Sequence, residues 1–151
     1  MKVYESVAAL TAAVGEHMGY SDWLEITQER INLFADATSD HQWIHVDLEK
    51  AAAGPFGTTI AHGYMTLALI PALAGGLMPL VDGIAMVINY GTNKVRFPAP
   101  VPVNSRVRAG VTVKSVEEVP GGVQLVSDIV IEREGGDKPV CVAESVSRYY
   151  W

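Results

Sequence analysis

The chain has 151 residues, 49% hydrophobic and 19% charged, with a mass of 16.2 kDa. That length suits one domain, residues 1–151, with a real core, and so apolar a composition excludes a disordered chain. Seventeen acidic against eleven basic side chains leave a net charge of −6; broad binding to nucleic acid or to an anionic membrane needs basic patches and is not expected.

The N-terminal stretch MKVYESVAALTAAVGEH carries Glu5 where a secretory leader would run uninterrupted and apolar. It reads as part of the mature fold. The single cysteine, Cys141, makes neither an internal disulfide nor a cysteine-rich zinc site, and a reducing compartment, the cytoplasm, is expected.

In chain order, residues 4–14 predict a short amphipathic helix ended by Gly15. Residues 28–37 predict a second, with Thr27 as N-cap. Residues 51–81 contain no Asp, Glu, Lys or Arg. A membrane span needs about 20 apolar residues, but His62, Thr66, Pro71, Gly75, Gly76 and Pro79 interrupt this one. A soluble helix apolar on all sides must be enclosed by protein. A central, enclosed helix is therefore expected near Gly63–Ala74.

Residues 84–97 begin as a buried strand, which Pro98, Pro100 and Pro102 break. Val107, Ala109, Val111 and Val113 then alternate with polar or small residues, the period of a half-buried strand. Pro120-Gly121-Gly122 is a turn, after which Val123, Leu125, Ile129 and Ile131 share one face. A turn at 134–137 leads into a last strand over 139–150. Strands joined by short turns form an antiparallel sheet. The expected class is α+β, with a curved antiparallel sheet wrapped around an apolar helix.

The chemistry-bearing residues precede that helix, in FADATSDHQWIHVDLEKA at 34–51. Asp40 and His45 are five residues apart. That spacing turns them about 140° away from each other on a helix and to opposite faces on a strand, so they meet only in an irregular loop. An Asp and a His suit acid–base work; a solvated loop with a capping Asp and a hydrogen-bonded His has the same composition. His41, His45, Asp47 and His62 match no zinc spacing such as His-Glu-x-x-His, and no metal is expected. In GPFGTTIAHG at 54–63, the Gly63 N–H opens the apolar helix and is a candidate oxyanion donor. An ordinary helix start reads the same way, and His62 reads as structural.

Taken together, the 34–51 segment and TTIAHGYMTLALIPAL resemble the MaoC-like, or hydratase-2, family of (R)-specific enoyl-CoA hydratases. Phe34, Asp40, Ile44, His45 and Ala51 occupy the places of that family's motif, and Ile60 to Gly63 and Val95 to Val101 match downstream. The likeness runs from about residue 15 to the end. Ser39, Gln42 and Trp43 stand where the motif has Gly, Asn and Pro. The resemblance implies a hotdog fold, a homodimer with sheets joined edge to edge, and no cofactor. It implies a thioester substrate on coenzyme A or acyl carrier protein, and reversible syn addition of water to a trans-2-enoyl thioester. It assigns Asp40 and His45 to the water, with Asp40 favoured as base, and Gly63, Gln42 and Tyr64 to the substrate. Tyr64, Met65 and Leu67 are candidates for an acyl tunnel; Arg96, Arg106 and Arg108 either meet carrier phosphates or lie on a solvated face. Two rival readings stand beside it: another hotdog enzyme, a thioesterase, which would use a carboxylate and water but not this Asp40–His45 pair, and a non-catalytic acyl-thioester-binding or partner subunit.

Overall fold

A computed structural model describes all 151 residues, Met1–Trp151. Strand β1 (Val3–Tyr4) precedes helix α1 (Val7–Ala12), whose N-cap Ser6 accepts from the Ala9 N–H. The predicted 4–14 helix therefore starts later, because Val3 and Tyr4 pair in parallel with Leu80 and Val81 of β4 (Leu80–Val81). Short strands β2 (His17–Tyr20) and β3 (Leu24–Glu25) lead into α2 (Gln28–Thr38). Thr27 caps α2 as predicted, its hydroxyl accepting from the Arg30 N–H.

After α2 come α3 (Trp43–Val46), α4 (Leu48–Ala52), α5 (Gly63–Ala68) and α6 (Ile70–Ala74). The chain ends in four long strands, β5 (Met86–Arg96), β6 (Arg106–Val119), β7 (Gly122–Arg133) and β8 (Cys141–Tyr150). They form an antiparallel sheet in the order β2-β6-β7-β8-β5, and β3 also pairs with β6. Pro120 and Gly121 make the β6–β7 hairpin; Gly121 takes φ +74°, open to glycine at no steric cost.

The alternation read from the sequence is the core. Val107, Ala109, Val111 and Val113 on β6 and Val123, Leu125, Ile129 and Ile131 on β7 are all fully buried. Each such aliphatic side chain contributes about 1.5–3 kcal/mol by leaving water. Met65 on α5 and Leu73 and Ala74 on α6 pack in the same cluster, so the sheet curls round these helices. On the outer face Arg108 pairs with Glu132, and its guanidinium lies over Tyr20 and Trp23; Arg106 pairs with Glu134. These two arginines thus belong to the solvated face. Arg96 is exposed beside Phe97.

Two expectations need correction. The 63–74 helix is two short helices, because Pro71 has no N–H to give to Leu67 and the chain breaks at Leu69. It is also not enclosed: Tyr64, Ala68, Pro71 and Ala72 are exposed. The 84–97 run is not a buried strand but the edge strand β5, with Met86, Val87, Ile88 and Tyr90 exposed. Apolar sequence signals a need for cover, and the cover need not come from the same chain. No helix is long and apolar enough to cross a membrane.

Candidate active site

Helix α2 ends at Thr38, and Ser39 turns the chain with φ 60° and ψ 21°. This left-handed cap is where glycine is favoured. The motif's glycine therefore has a backbone reason, and Ser39 holds the same turn at a cost. Ser39→Gly is expected to raise stability by about 1 kcal/mol. A melting temperature unchanged or lowered in Ser39→Gly contradicts this account of the turn.

Beyond the turn, residues 40–42 form the irregular loop that the Asp40–His45 spacing demands. The Asp40 carboxylate is exposed and accepts a long 3.4 Å bond from the Gln42 N–H. The Gln42 carbonyl accepts from the His45 N–H at 2.9 Å, which starts α3. Trp43 packs on Gly54 so closely that a Cβ on Gly54 would lie 2.9 Å from the indole. The bulky residue in the proline's place thus anchors the loop onto the following turn.

His45 is buried, with 6% of its surface exposed. Its Nδ1 lies 2.7 Å from the Ile60 carbonyl oxygen, which can only accept. Nδ1 therefore carries the hydrogen, and in the neutral ring Nε2 presents a lone pair. Burial lowers the His45 pKa from its ordinary 6.5, opposed by the Ile60 carbonyl, so the neutral form is favoured. Gln28 supports the segment from α2: its Nε2 donates to the His45 carbonyl at 2.8 Å, and its Oε1 accepts from the Thr59 hydroxyl.

One ligand atom from each of Asp40, His45 and His62 lies within 4.8 Å of the others. His62 is 3% exposed and stacks on His45 with ring centroids 3.7 Å apart and planes 25° from parallel. Ring lone pairs lie in the ring planes, so stacked rings do not aim both nitrogens at one point. A zinc ion needs each nitrogen about 2.0–2.1 Å from a common centre, so the arrangement suits proton chemistry better than chelation.

Gly63 opens α5, and its N–H has no intrahelical carbonyl to bond. A Cβ here would sit 2.8 Å from the Phe97 ring, so only glycine lets the backbone and that ring meet. His45 and Gly63 share a cleft of about 360 Å³ walled by Ile44, Phe56, Ile60, Phe97 and Val101. Tyr64 points elsewhere. It is 73% exposed and lines a second cleft of about 530 Å³ with Phe34, Leu67 and Thr92. Met65 is core rather than cleft wall. Gln42 is exposed beside Asp40 and walls neither cleft. The structure thus gathers Asp40, His45 and His62, places His45 in one cleft with Gly63, and supports the His45 segment through Gln28. His62, read from sequence as structural, lies against His45 and Asp40; nothing in the sequence pointed to Gln28, since its partners lie 17 and 31 residues away.

Comparison with known proteins places the chain in a family. The model of the MaoC like domain matches residues 9–133. The chain is 63% identical over 150 residues to 3-hydroxyacyl-thioester dehydratase Z of Mycobacterium tuberculosis, with 99% of each chain covered. It is 41% identical over 145 residues to nodulation protein N of Rhizobium leguminosarum bv. viciae, covering 94% of this chain and 89% of that one. Among solved structures it resembles the (R)-hydratase from A. caviae involved in PHA biosynthesis, at TM-score 0.69 and 26% identity, over 89% of this chain and 94% of that one. A family model spanning most of the residues, together with a relative of such identity over nearly the whole length, makes this chain a member of the MaoC-like dehydratase family.

Proposed function

We propose that this protein catalyses the reversible syn hydration of trans-2-enoyl thioesters to (R)-3-hydroxyacyl thioesters. The observation that carries the reading is the convergence of the Asp40 carboxylate and the His45 imidazole within 4.8 Å, with His45 sharing a largely apolar cleft with Gly63. A water held there by Asp40 gives a proton to His45 Nε2 as its oxygen attacks C3. The Gly63 N–H stabilises the charge that gathers on the thioester oxygen. The proton on Nε2 then passes to C2 from the same side, so the addition is syn. This tautomer makes His45 the base and Asp40 the group that orients the water, the reverse of the division favoured from sequence.

The substrate is an acyl thioester of coenzyme A or acyl carrier protein. Tyr64, with Phe34 and Leu67, is assigned to the acyl chain, and Gln42 to the mouth beside Asp40. We place the enzyme in the cytoplasm, a compartment suited to Cys141, a buried thiol whose pKa burial raises to about 11.

Loss of enoyl ultraviolet absorbance on adding protein to crotonyl-CoA and to a longer trans-2-enoyl-CoA tests the activity. No loss on either substrate favours a binding subunit, and release of free thiol a thioesterase. The same assay gives a pH profile. In the hydration direction, kcat/KM is expected to be full above pH 6.5 and to fall through a midpoint below 6.5, as His45 gains its proton. An acid limb centred above 6.5 contradicts the His45 assignment. Stability follows the same sign. The unfolded chain binds the His45 proton more readily, so this contribution is present above pH 6.5 and is lost as pH falls through the lowered pKa.

A homodimer completes the proposal. β5 pairs only with β8, and its other edge carries exposed Met86, Val87, Ile88 and Tyr90. A long apolar edge left open invites aggregation; pairing with the β5 of a second copy closes it. Sedimentation is expected to give twice 16.2 kDa, and a Val87→Glu/Ile88→Glu variant to shift to the single-chain mass. A parent that sediments as one chain removes this part of the reading.

A further inference from the structure

Outside the reacting groups, one buried histidine has no place in the mechanism above. His62 is only 3% exposed and meets both members of the dyad. Its Nε2 lies 2.9 Å from the Asp40 backbone carbonyl, an acceptor only, so Nε2 donates. The same nitrogen is 4.0 Å from the Asp40 carboxylate. Its ring lies flat against His45, and Phe34 meets it from another side with centroids 5.1 Å apart. His62 is also the residue immediately before Gly63, at the N-cap of α5, where its carbonyl accepts from the Thr66 N–H at 3.1 Å. As a cap it is a poor choice, because it makes no side-chain cap hydrogen bond and Ser, Thr, Asp or Asn would serve better. Its Nδ1 is buried without any partner. An unsatisfied buried nitrogen is destabilising, a cost that a purely apolar filler would avoid.

We propose that His62 is a positioning residue that sets the geometry of both members of the dyad. It ties the Asp40 loop to the start of α5 and provides the flat surface that orients the His45 ring. Asp40 needs the tie because its loop is otherwise lightly held: the carboxylate is exposed, and its hydrogen bond from Gln42 is long. His45 is already fixed at Nδ1 by Ile60. The stack with His62 restrains the remaining freedom, rotation of the ring about that bond. A misplacement of about 1 Å at such a site costs as much as 10²-fold in rate.

This inference rests on the hydratase reading for its kinetic arm, and the test separates the two. His62→Phe keeps a ring on His45 and loses the donor. His62→Gln keeps an N–H at about the reach of Nε2 and loses the ring. His62→Asn is too short to reach. In the absorbance assay, His62→Phe and His62→Asn are expected to lower kcat about 10- to 100-fold with KM within about threefold of the parent. His62→Gln is expected to keep roughly tenfold more kcat than His62→Asn. In an Asp40→Asn background, His62→Phe is expected to cost less than about threefold, since a residue acting through Asp40 has little left to act on.

Amide hydrogen exchange provides the arm that is independent of any reaction. Peptides spanning 39–43 are expected to exchange about tenfold faster in His62→Phe and His62→Asn than in the parent, with β6 and β7 unchanged and His62→Gln close to the parent. Equal loss of kcat and equal exchange in all three variants, or faster exchange throughout the sheet, reduces His62 to a filler of the core and overturns the proposal. Retention of full activity by His62→Phe does the same. Should His62→Phe fail to fold, the comparison of Gln with Asn decides alone. A parent without turnover defeats the hydratase reading, while the exchange measurement still decides whether His62 holds the Asp40 loop.

Discussion

Asp40→Asn and His45→Gln are each expected to lower kcat/KM for enoyl-thioester hydration about 10²–10⁴-fold, the range for loss of a positioned acid–base group. The two losses have different origins. Asparagine is nearly isosteric with aspartate but presents an amide where the water needs a negatively charged acceptor. Asp40 is exposed, so its replacement leaves packing intact and the melting temperature within a few degrees. His45 is buried and bonded to Ile60. Glutamine there removes Nε2 as proton carrier and also disturbs the stack with His62, so a measurable loss of stability is expected alongside. The double variant is expected to be little worse than the poorer single one, because the proposed mechanism has the two residues act on one water. Either single variant keeping more than about a third of the parent rate would end the dyad assignment.

Gly63→Ala is the second large effect. The added Cβ would lie 2.8 Å from Phe97 Cδ2 and 3.0 Å from two further ring atoms. Such a distance forces the ring into the cleft or the α5 backbone away from it. In the proposed mechanism either movement takes the Gly63 N–H off the thioester oxygen, and losing an oxyanion donor costs about 10²–10³ in rate. About 10² is expected for Gly63→Ala in kcat, with more for Gly63→Val. Phe97→Ala in the Gly63→Ala background opens the space and is expected to restore at least about tenfold. Without that recovery, the steric cause is wrong.

Much of the fold is legible in the sequence. The alternation of Val107 to Val113 and of Val123 to Ile131 named the buried face of the two central strands, because side chains on a strand alternate faces. Thr27 marked the start of α2 for an equally local reason, a hydroxyl three residues before a free N–H. Where the reading failed, the deciding partner was remote. Val3 and Tyr4 became a strand through Leu80 and Val81, and the apolar Met86–Tyr90 run became an open edge because nothing in the chain lies beyond β5. Ser39 lies between: the departure from glycine was visible, but its meaning depends on a φ of 60° that only the structure supplies.

By itself, the sequence determined the class of fold and the family, and it singled out Asp40, His45 and Gly63 as the candidates for the chemistry. Periodicity, turn residues and motif spacing are local properties, and a linear chain records them. Tertiary structure alone decided which nitrogen of His45 carries its hydrogen, since that depends on the carbonyl of Ile60, 15 residues away. It also decided that His62 faces both members of the dyad and that Tyr64 opens onto a different cleft. A proton's location and a side chain's direction are set by neighbours in space, and those neighbours exist only once the chain has folded.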